Sequence, residues 1–350
     1  MYFKRKELEK FRSFKGPLID VRSPGEYYKG HMPNSINIPL FDNDERAIVG
    51  KTYKTFGRER AVKQGLIFIE EKIEKLINNL FEFINSQNIT NIKGDSNEAY
   101  VRIYCARGGM RSLSISWLLE RYKVKTVTLK GGYKKYRNWV LDNFSTKWNI
   151  IVIGGKTGTG KTKLLKLLNE YNYQTIDFEG IACHRGSTFG GLGMNEQPSN
   201  EQFENIIAEN LNFFKKNNNV FVEAESANIG KCKIPHEFFN LMKTADRVEI
   251  VKSESNRLEE LIKTYSIYDE KDLVDAVLRI KKRLGPQRTK IAIESIKNKN
   301  WVAVCKSVLE YYDKCYEYEK NKKINIRTLD MTNIFDDQTK LKLIKNFMKL

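Results

Sequence analysis

Two segments of this 350-residue sequence set reactive side chains among glycines at spacings that suit anion chemistry. The first is Cys105-Ala106-Arg107-Gly108-Gly109-Met110-Arg111-Ser112. It follows the apolar run Val101-Arg102-Ile103-Tyr104 and precedes the helical spacing of Leu113, Ile115, Trp117, Leu118 and Leu119. A cysteine at a strand end that also opens a helix faces backbone N–H groups and the positive end of the helix dipole. Gly108 and Gly109 let the backbone curl, so that Arg107, Gly108, Gly109 and Met110 form an oxyanion cradle and Arg111 adds a fixed positive fork. Such a loop stabilises a thiolate and suits attack on phosphorus, sulfur or selenium. A buried, inert cysteine is the plainer reading. It fits the other cysteines but not Cys105, because the glycine pair and the arginine share no packing purpose.

The second segment is Gly155-Lys156-Thr157-Gly158-Thr159-Gly160-Lys161-Thr162, a complete G-x-x-x-x-G-K-[ST] phosphate loop. Gly155, Gly158 and Gly160 let the backbone wrap phosphates, Lys161 reaches their terminal oxygens, and Thr162 is placed to hold a magnesium ion. No apolar run ends in Asp-Asp or Asp-Glu, so Asp177 and Glu223, each at the end of a short apolar run, are the candidate acidic partners. ATP is the commonest occupant of such a loop, and a diphosphate that is not a nucleotide stays open. Two polar clusters follow strand-like runs: His184, Arg185 and Ser187, then Glu223, Glu225 and Ser226. Strand ends are the ligand-binding edge of an α/β sheet.

The elements that must position these loops alternate between strand and helix patterns, which describes two parallel-sheet α/β domains. The expected boundaries are a first domain over 1–135, a linker over 136–147, a phosphate-loop domain over 148–255, and a mainly helical basic region over 256–350. Within the first domain, residues 66–88 carry helical spacing. Apolar content of 41% is enough for two cores, and 30% charged residues with only 7 prolines argue against disorder. No apolar stretch reaches the length of a membrane span, and the first fifteen residues lack the apolar core of a signal peptide. Five cysteines without a C-x-x-C fit a reducing compartment and argue against disulfides or structural zinc. A cytoplasmic protein is expected, with no membrane partner and no protein metal site.

The net charge of +18 points to a polyanionic partner, although a lysine-rich surface of a compositionally biased genome gives the same number. The run from Arg279 to Lys290, with Lys281, Lys282, Arg283 and Arg288, carries six positive charges and no acid. Lys134, Lys135 and Arg137 lie among Tyr133, Tyr136 and Trp139. Both segments are candidate RNA contacts, the aromatic one either by stacking on unpaired bases or not at all if its rings serve packing.

Asp20-Val21-Arg22-Ser23-Pro24-Gly25-Glu26-Tyr27, Gly30-His31-Met32-Pro33 and Asn37-Ile38-Pro39 resemble the start of a rhodanese domain, where this region is scaffold. Five residues separate Cys105 from Arg111, one more than in common sulfur-transferring rhodaneses and similar to rhodanese-fold phosphatases. With the phosphate loop, Glu45 to Gly50, Tyr53-Lys54, Gly57-Arg58, Asp177 to Gly190, Glu223 to Gly230, Lys281 to Gly285 and Tyr311 to Lys314, the chain resembles the tRNA 2-selenouridine synthase family. One departure is Ala106, where the family usually has Trp.

The resemblance implies a transferase that acts on tRNA carrying a wobble 2-thiouridine, with a selenophosphate-supplying enzyme as a further partner. It implies S-geranylation with geranyl diphosphate, then selenium transfer from selenophosphate, with no tightly bound cofactor. Cys105 would carry selenium as a selenylsulfide, with Arg111 and the loop N–H groups on the phosphate. Diphosphate chemistry assigns geranyl diphosphate to Lys161, Thr162 and their loop. The alternatives are a phosphate-loop kinase or ATPase fused to a rhodanese sulfurtransferase, a rhodanese-fold phosphatase, and a tRNA-binding module with degenerate sites.

Overall fold

The computed structural model describes residues 5–86, 100–320, 326–334 and 336–348. The chain divides into two compact units, Met1–Asn143 and Phe144–Leu350.

The first unit is built on β1 (Arg5–Lys6), β2 (Leu18–Asp20), β3 (Ser35–Asn37), β4 (Val101–Tyr104) and β5 (Thr126–Leu129). They form one sheet in the order β1-β5-β4-β2-β3, every pair parallel. Parallel strands need covered faces, and β2 and β5 are buried at every residue. The helix Ile73–Ser86 buries Leu76, Leu80 and Ile84, spaced by one turn each, against Ile19, Val101 and Ile103. The helical spacing over 66–88 therefore belongs to two helices, since residues 66–70 end the preceding helix Asn43–Glu70; residues 87 and 88 lie outside the described part. That earlier helix is interrupted at Gly57, with φ of 82°.

A buried ion pair ties β2 to the turn after it. Asp20 is 0% and Arg22 4% exposed. Arg22 donates from Nη2 to Asp20 Oδ2 at 2.7 Å and to the Gly30 carbonyl at 2.6 Å. Its guanidinium lies 3.7 Å from the centre of the Tyr133 ring. Tyr133 and Tyr136 are buried in the helix Gly132–Phe144. This helix occupies most of the stretch expected as a linker, because Tyr133, Tyr136 and Val140 recur at helical spacing as its buried face. Trp139 is half-buried beneath Arg12, 4.0 Å from the ring centre. These rings serve packing, and of the three basic residues here Lys134 and Lys135 are exposed while Arg137 is half-buried.

The second unit carries β6 (Asn149–Gly154), β7 (Gln174–Ile176), β8 (Asn219–Glu223), the short hairpin β9 (Asn228–Ile229) and β10 (Cys232–Lys233), β11 (Asp246–Val251) and β12 (Ile326–Asp330). Five of these make a parallel sheet in the order β12-β11-β6-β8-β7. β6 thus sits at the centre, and the phosphate loop leaves its C-terminal end beside β8 and β11. β12 comes from the region read as helical. Only Leu329 of its five residues is buried, so it has no apolar run to mark it as a strand. The helices Glu254–Tyr265, Glu270–Arg279, Lys281–Leu284, Pro286–Lys297 and Trp301–Lys320 pack into a separate helical layer.

Replacing Asp20 by Ala should leave a guanidinium buried without its counter-charge. The expected cost is about 3–5 kcal/mol, read as an earlier unfolding transition in urea. A variant as stable as the parent would show that Arg22 finds another acceptor.

Two candidate anion sites

The helix Met110–Arg121 begins straight after the cysteine loop, as the sequence spacing requires. Cys105 is 3% exposed, and its sulfur accepts the Gly109 N–H at 3.3 Å. The Ser112 hydroxyl lies 3.3 Å from the same sulfur and bonds the Gly109 carbonyl at 3.1 Å. Gly108 has φ of 63°, and a Cβ there would meet the Leu129 carbonyl oxygen at 2.3 Å. The turn after β5 closes on the loop, with Tyr133 N–H donating to the Cys105 carbonyl at 2.9 Å and Lys134 N–H to Ala106 at 3.0 Å. Arg107 and Met110 point outward, both exposed, so they offer the cradle backbone rather than side chain.

Arg111 is held by a residue that sequence reasoning treated as scaffold. Its Nη1 lies 2.7 Å from Glu26 Oε2, with Arg46 Nε 3.6 Å from the same oxygen. Glu26 stands in the first turn of the helix Pro24–Lys29, where it also caps the Ser23 N–H. Burial works to raise its pKa, but the Arg111 hydrogen bond and charge, the Ser23 N–H and Arg46 hold it at about 2. Ser112 and Glu26 thus join the candidate set. The Cys-x-x-x-x-x-Arg-Ser pattern carries a signal for the first, whereas the second is 85 residues from its partner.

In the second unit Lys161 opens the helix Lys161–Glu170, and its Nζ donates to the Gly155 carbonyl at 2.9 Å. The loop borders a cleft of about 520 Å³ that Asp177, Glu179, Arg185, Ser187, Glu225 and Ser226 also line. Thr162 donates to Glu179 Oε2 at 3.1 Å. Glu179, Glu223 and Glu225 bring one carboxylate oxygen each within 4.8 Å of the others. Glu223 is fully buried and neither of its oxygens finds a hydrogen-bond partner. Burial, then the neighbouring Glu179 carboxylate, push its pKa well above the usual range. Burial also raises Glu179, against the pull of Lys161. Three crowded carboxylates beside a threonine hydroxyl are a donor set for a hard divalent cation.

The remaining candidates divide. Asp177 spends a carboxylate oxygen on the Gly180 N–H at 2.7 Å, capping the short helix that presents Glu179. Arg185 reaches the Leu192 carbonyl at 2.8 Å, and Ser226 bonds the Asn228 carbonyl at 2.6 Å. His184 is not among the cleft residues; it packs beside Gly190 and Gly191. Lys281, Lys282 and Arg283 are exposed, whereas Arg288 is engaged by Glu310 at 2.6 Å.

The structure adds a clamp on the phosphate loop from the helix Trp301–Lys320. Arg257 donates from Nε to the Thr157 carbonyl at 2.9 Å and makes a two-pronged pair with Asp313, Nη1 to Oδ2 at 2.9 Å. Tyr316 accepts the Gly155 N–H and an Arg247 N–H, and donates to Glu249. Tyr311 to Lys314 caught attention in the sequence, but nothing there showed that Asp313 would anchor Arg257.

Comparisons with known proteins place this geometry. Residues 4–138 match the rhodanese-like domain, and residues 148–334 match the tRNA 2-selenouridine synthase AAA domain. A tRNA 2-selenouridine synthase of Sulfurovum sp. is 34% identical over 340 residues, which covers 87% of this chain and 88% of that protein. One from Hydrogenovibrio crunogenus is 32% identical, with coverage of 88% and 90%. One from Nitrosomonas europaea is 33% identical over 71% of this chain but 63% of its own length. Among the described residues, no helix is long and apolar enough to cross a membrane.

The contribution of Glu26 to stability is complete above the ordinary glutamate pKa and is lost as pH falls toward 2, because its folded value is depressed. Glu26→Gln should therefore be less stable than the parent at pH 6, and the gap should close steadily between about pH 4.5 and 2. Urea midpoints across that range test this; a pH-independent gap would mean that the pair with Arg111 does not form in solution.

Proposed function

The chain belongs to the tRNA 2-selenouridine synthase family and is a transferase of that type, and we propose that its two anion sites perform separate half-reactions on a wobble 2-thiouridine. The phosphate loop holds geranyl diphosphate, and the base sulfur attacks its first carbon. The carbon–oxygen bond breaks and pyrophosphate leaves with the electron pair. The cysteine loop then serves selenophosphate. Selenium bonds to C2 of the base, the carbon–sulfur bond breaks, and geranylthiolate departs.

The single observation that carries this reading is the pairing, on one chain of this family, of a reactive cysteine cradle with an intact phosphate loop. Lys161 and the loop N–H groups oppose the charge that grows on departing pyrophosphate. The acidic trio fits a magnesium ion, since two orphaned Glu223 oxygens and the Thr162 hydroxyl stand ready for it. Bound there, the ion would neutralise diphosphate oxygens. At the other site, Arg111 and the loop N–H groups grip the phosphate of selenophosphate. Electron balance bears on the role of Cys105. Selenophosphate holds reduced selenium, so forming a selenylsulfide and phosphate from it needs an oxidant. Attack of the Cys105 sulfur on phosphorus needs none: it breaks the selenium–phosphorus bond, frees selenide to attack C2 of the base, and leaves an S-phosphocysteine that water hydrolyses to phosphate and the free thiol. The one-residue-longer loop supports that choice. The exposed Lys281, Lys282 and Arg283 track the tRNA backbone, with Lys134 and Lys135 as further contacts.

Cys105→Ser should form the S-geranyl base and no 2-selenouridine, whereas Lys161→Ala should lose geranylation. Mass analysis of nucleosides after incubation with thiolated tRNA, geranyl diphosphate and selenophosphate separates the two. Wild-type selenation by the serine variant would remove Cys105 from the reaction. Normal geranylation without Lys161, together with lost ATP turnover, would favour a kinase-like site.

Lys281, Lys282 and Arg283 changed together to Ala should flatten the salt dependence of tRNA binding. Each lost phosphate contact removes about 0.7–0.9 from the log–log slope. An unchanged slope would assign these residues to a solvated face.

A further inference from the structure

The apolar core of the helical layer is split. Phe189, Leu273, Val304 and Val308 belong to one cluster, and Leu261, Cys305 and Leu309 to another. Tyr265 packs against both. The space between them is a narrow cavity of about 40 Å³ walled by Phe189, Leu261, Trp301, Val304, Val308 and Leu309. Protein interiors are otherwise packed to the density of organic crystals, so an apolar gap between two clusters is a place where something completes the core.

Its position says what. Thr157 of the phosphate loop, Ser187, Leu261, Tyr265 and Tyr312 line both this cavity and the phosphate cleft. A ligand with its phosphates on the loop therefore has an apolar space directly beside it. The walls offer almost no polar atoms, and a nucleotide base needs hydrogen-bond partners for its edge when buried. A hydrocarbon needs none and gains from every methylene removed from water. We propose that this cavity receives the far end of the hydrocarbon tail of an isoprenoid diphosphate whose phosphates lie in the loop, the rest of the tail lying in the adjoining cleft, with Val304 and Val308 limiting how much tail it accepts. This rests on the reading that the phosphate loop holds a prenyl diphosphate rather than a nucleotide.

Calorimetry on the full chain with inorganic pyrophosphate and with dimethylallyl and geranyl diphosphates tests it. Affinity should rise with tail length, with geranyl diphosphate at least about tenfold tighter than pyrophosphate. Val304→Trp, and the milder Val304→Phe, should bring geranyl diphosphate back toward the affinity of pyrophosphate while pyrophosphate itself binds as before, which also shows that the variants fold. In the unaltered chain, geranyl diphosphate but not pyrophosphate should shift tryptophan fluorescence, and Trp301→Phe should abolish that shift. Equal affinity for all three ligands, or tail-dependent affinity untouched by both Val304 variants, would overturn the cavity while leaving the loop's diphosphate in place. Binding of ATP in preference to all three, or pyrophosphate and geranyl diphosphate binding indifferent to Lys161→Ala, would instead overturn the prenyl diphosphate reading, and the tail pocket with it.

Discussion

A parallel strand that turns directly into a helix leaves backbone N–H groups with no partner inside the helix, and both candidate sites depend on that geometry. In the first unit, β4 runs into the helix Met110–Arg121 and the Gly109 N–H meets the Cys105 sulfur. In the second, β6 runs into the helix Lys161–Glu170 and the loop between them faces a cleft. The turn must be tight in each case, and the backbone says how tight. Gly108 and Gly160 both sit at positive φ, which L-residues with a Cβ adopt at a cost. The rest of each unit holds the strand still. β2 and β5 flank β4, and β8 and β11 flank β6.

What the two sites ask of their neighbours differs. At the cysteine loop a negative group, Glu26, pairs with Arg111. That keeps the guanidinium oriented, and an anion bound there as proposed would have to share or displace a carboxylate. The phosphate loop carries the opposite arrangement. Three of its acids crowd together, and Glu223 is so deeply buried that it stays protonated more readily than an ordinary glutamate. A cation there would relieve the crowding and add positive charge where phosphates lie.

The loops were legible in the sequence because each is a short, contiguous pattern whose flanking periodicity states its context. Both α/β units were legible for the same reason. What escaped was non-local. Glu26 meets Arg111, Arg257 meets Asp313 and Tyr316 meets Gly155 only after folding. Glu179 hid between Asp177 and Gly180, where Asp177 looked like the better acid until it turned out to cap the short helix. β12 escaped because an edge strand with one buried residue has no pattern to read. Most of the stretch expected as a linker is helix, because Tyr133, Tyr136 and Val140 bury one face of it.

The helix Trp301–Lys320 draws these threads together. Asp313 and Tyr316 on it fasten the phosphate loop through Arg257 and Gly155. Val304 and Val308, nearer its start, wall the apolar cavity. Residues along a single helix would thus set the distance between the phosphate loop and the proposed hydrocarbon pocket. A change in the rod's seating would move both at once. If the proposal holds, selectivity for tail length and affinity for phosphate would be mechanically linked in this fold, although different residues make the contacts.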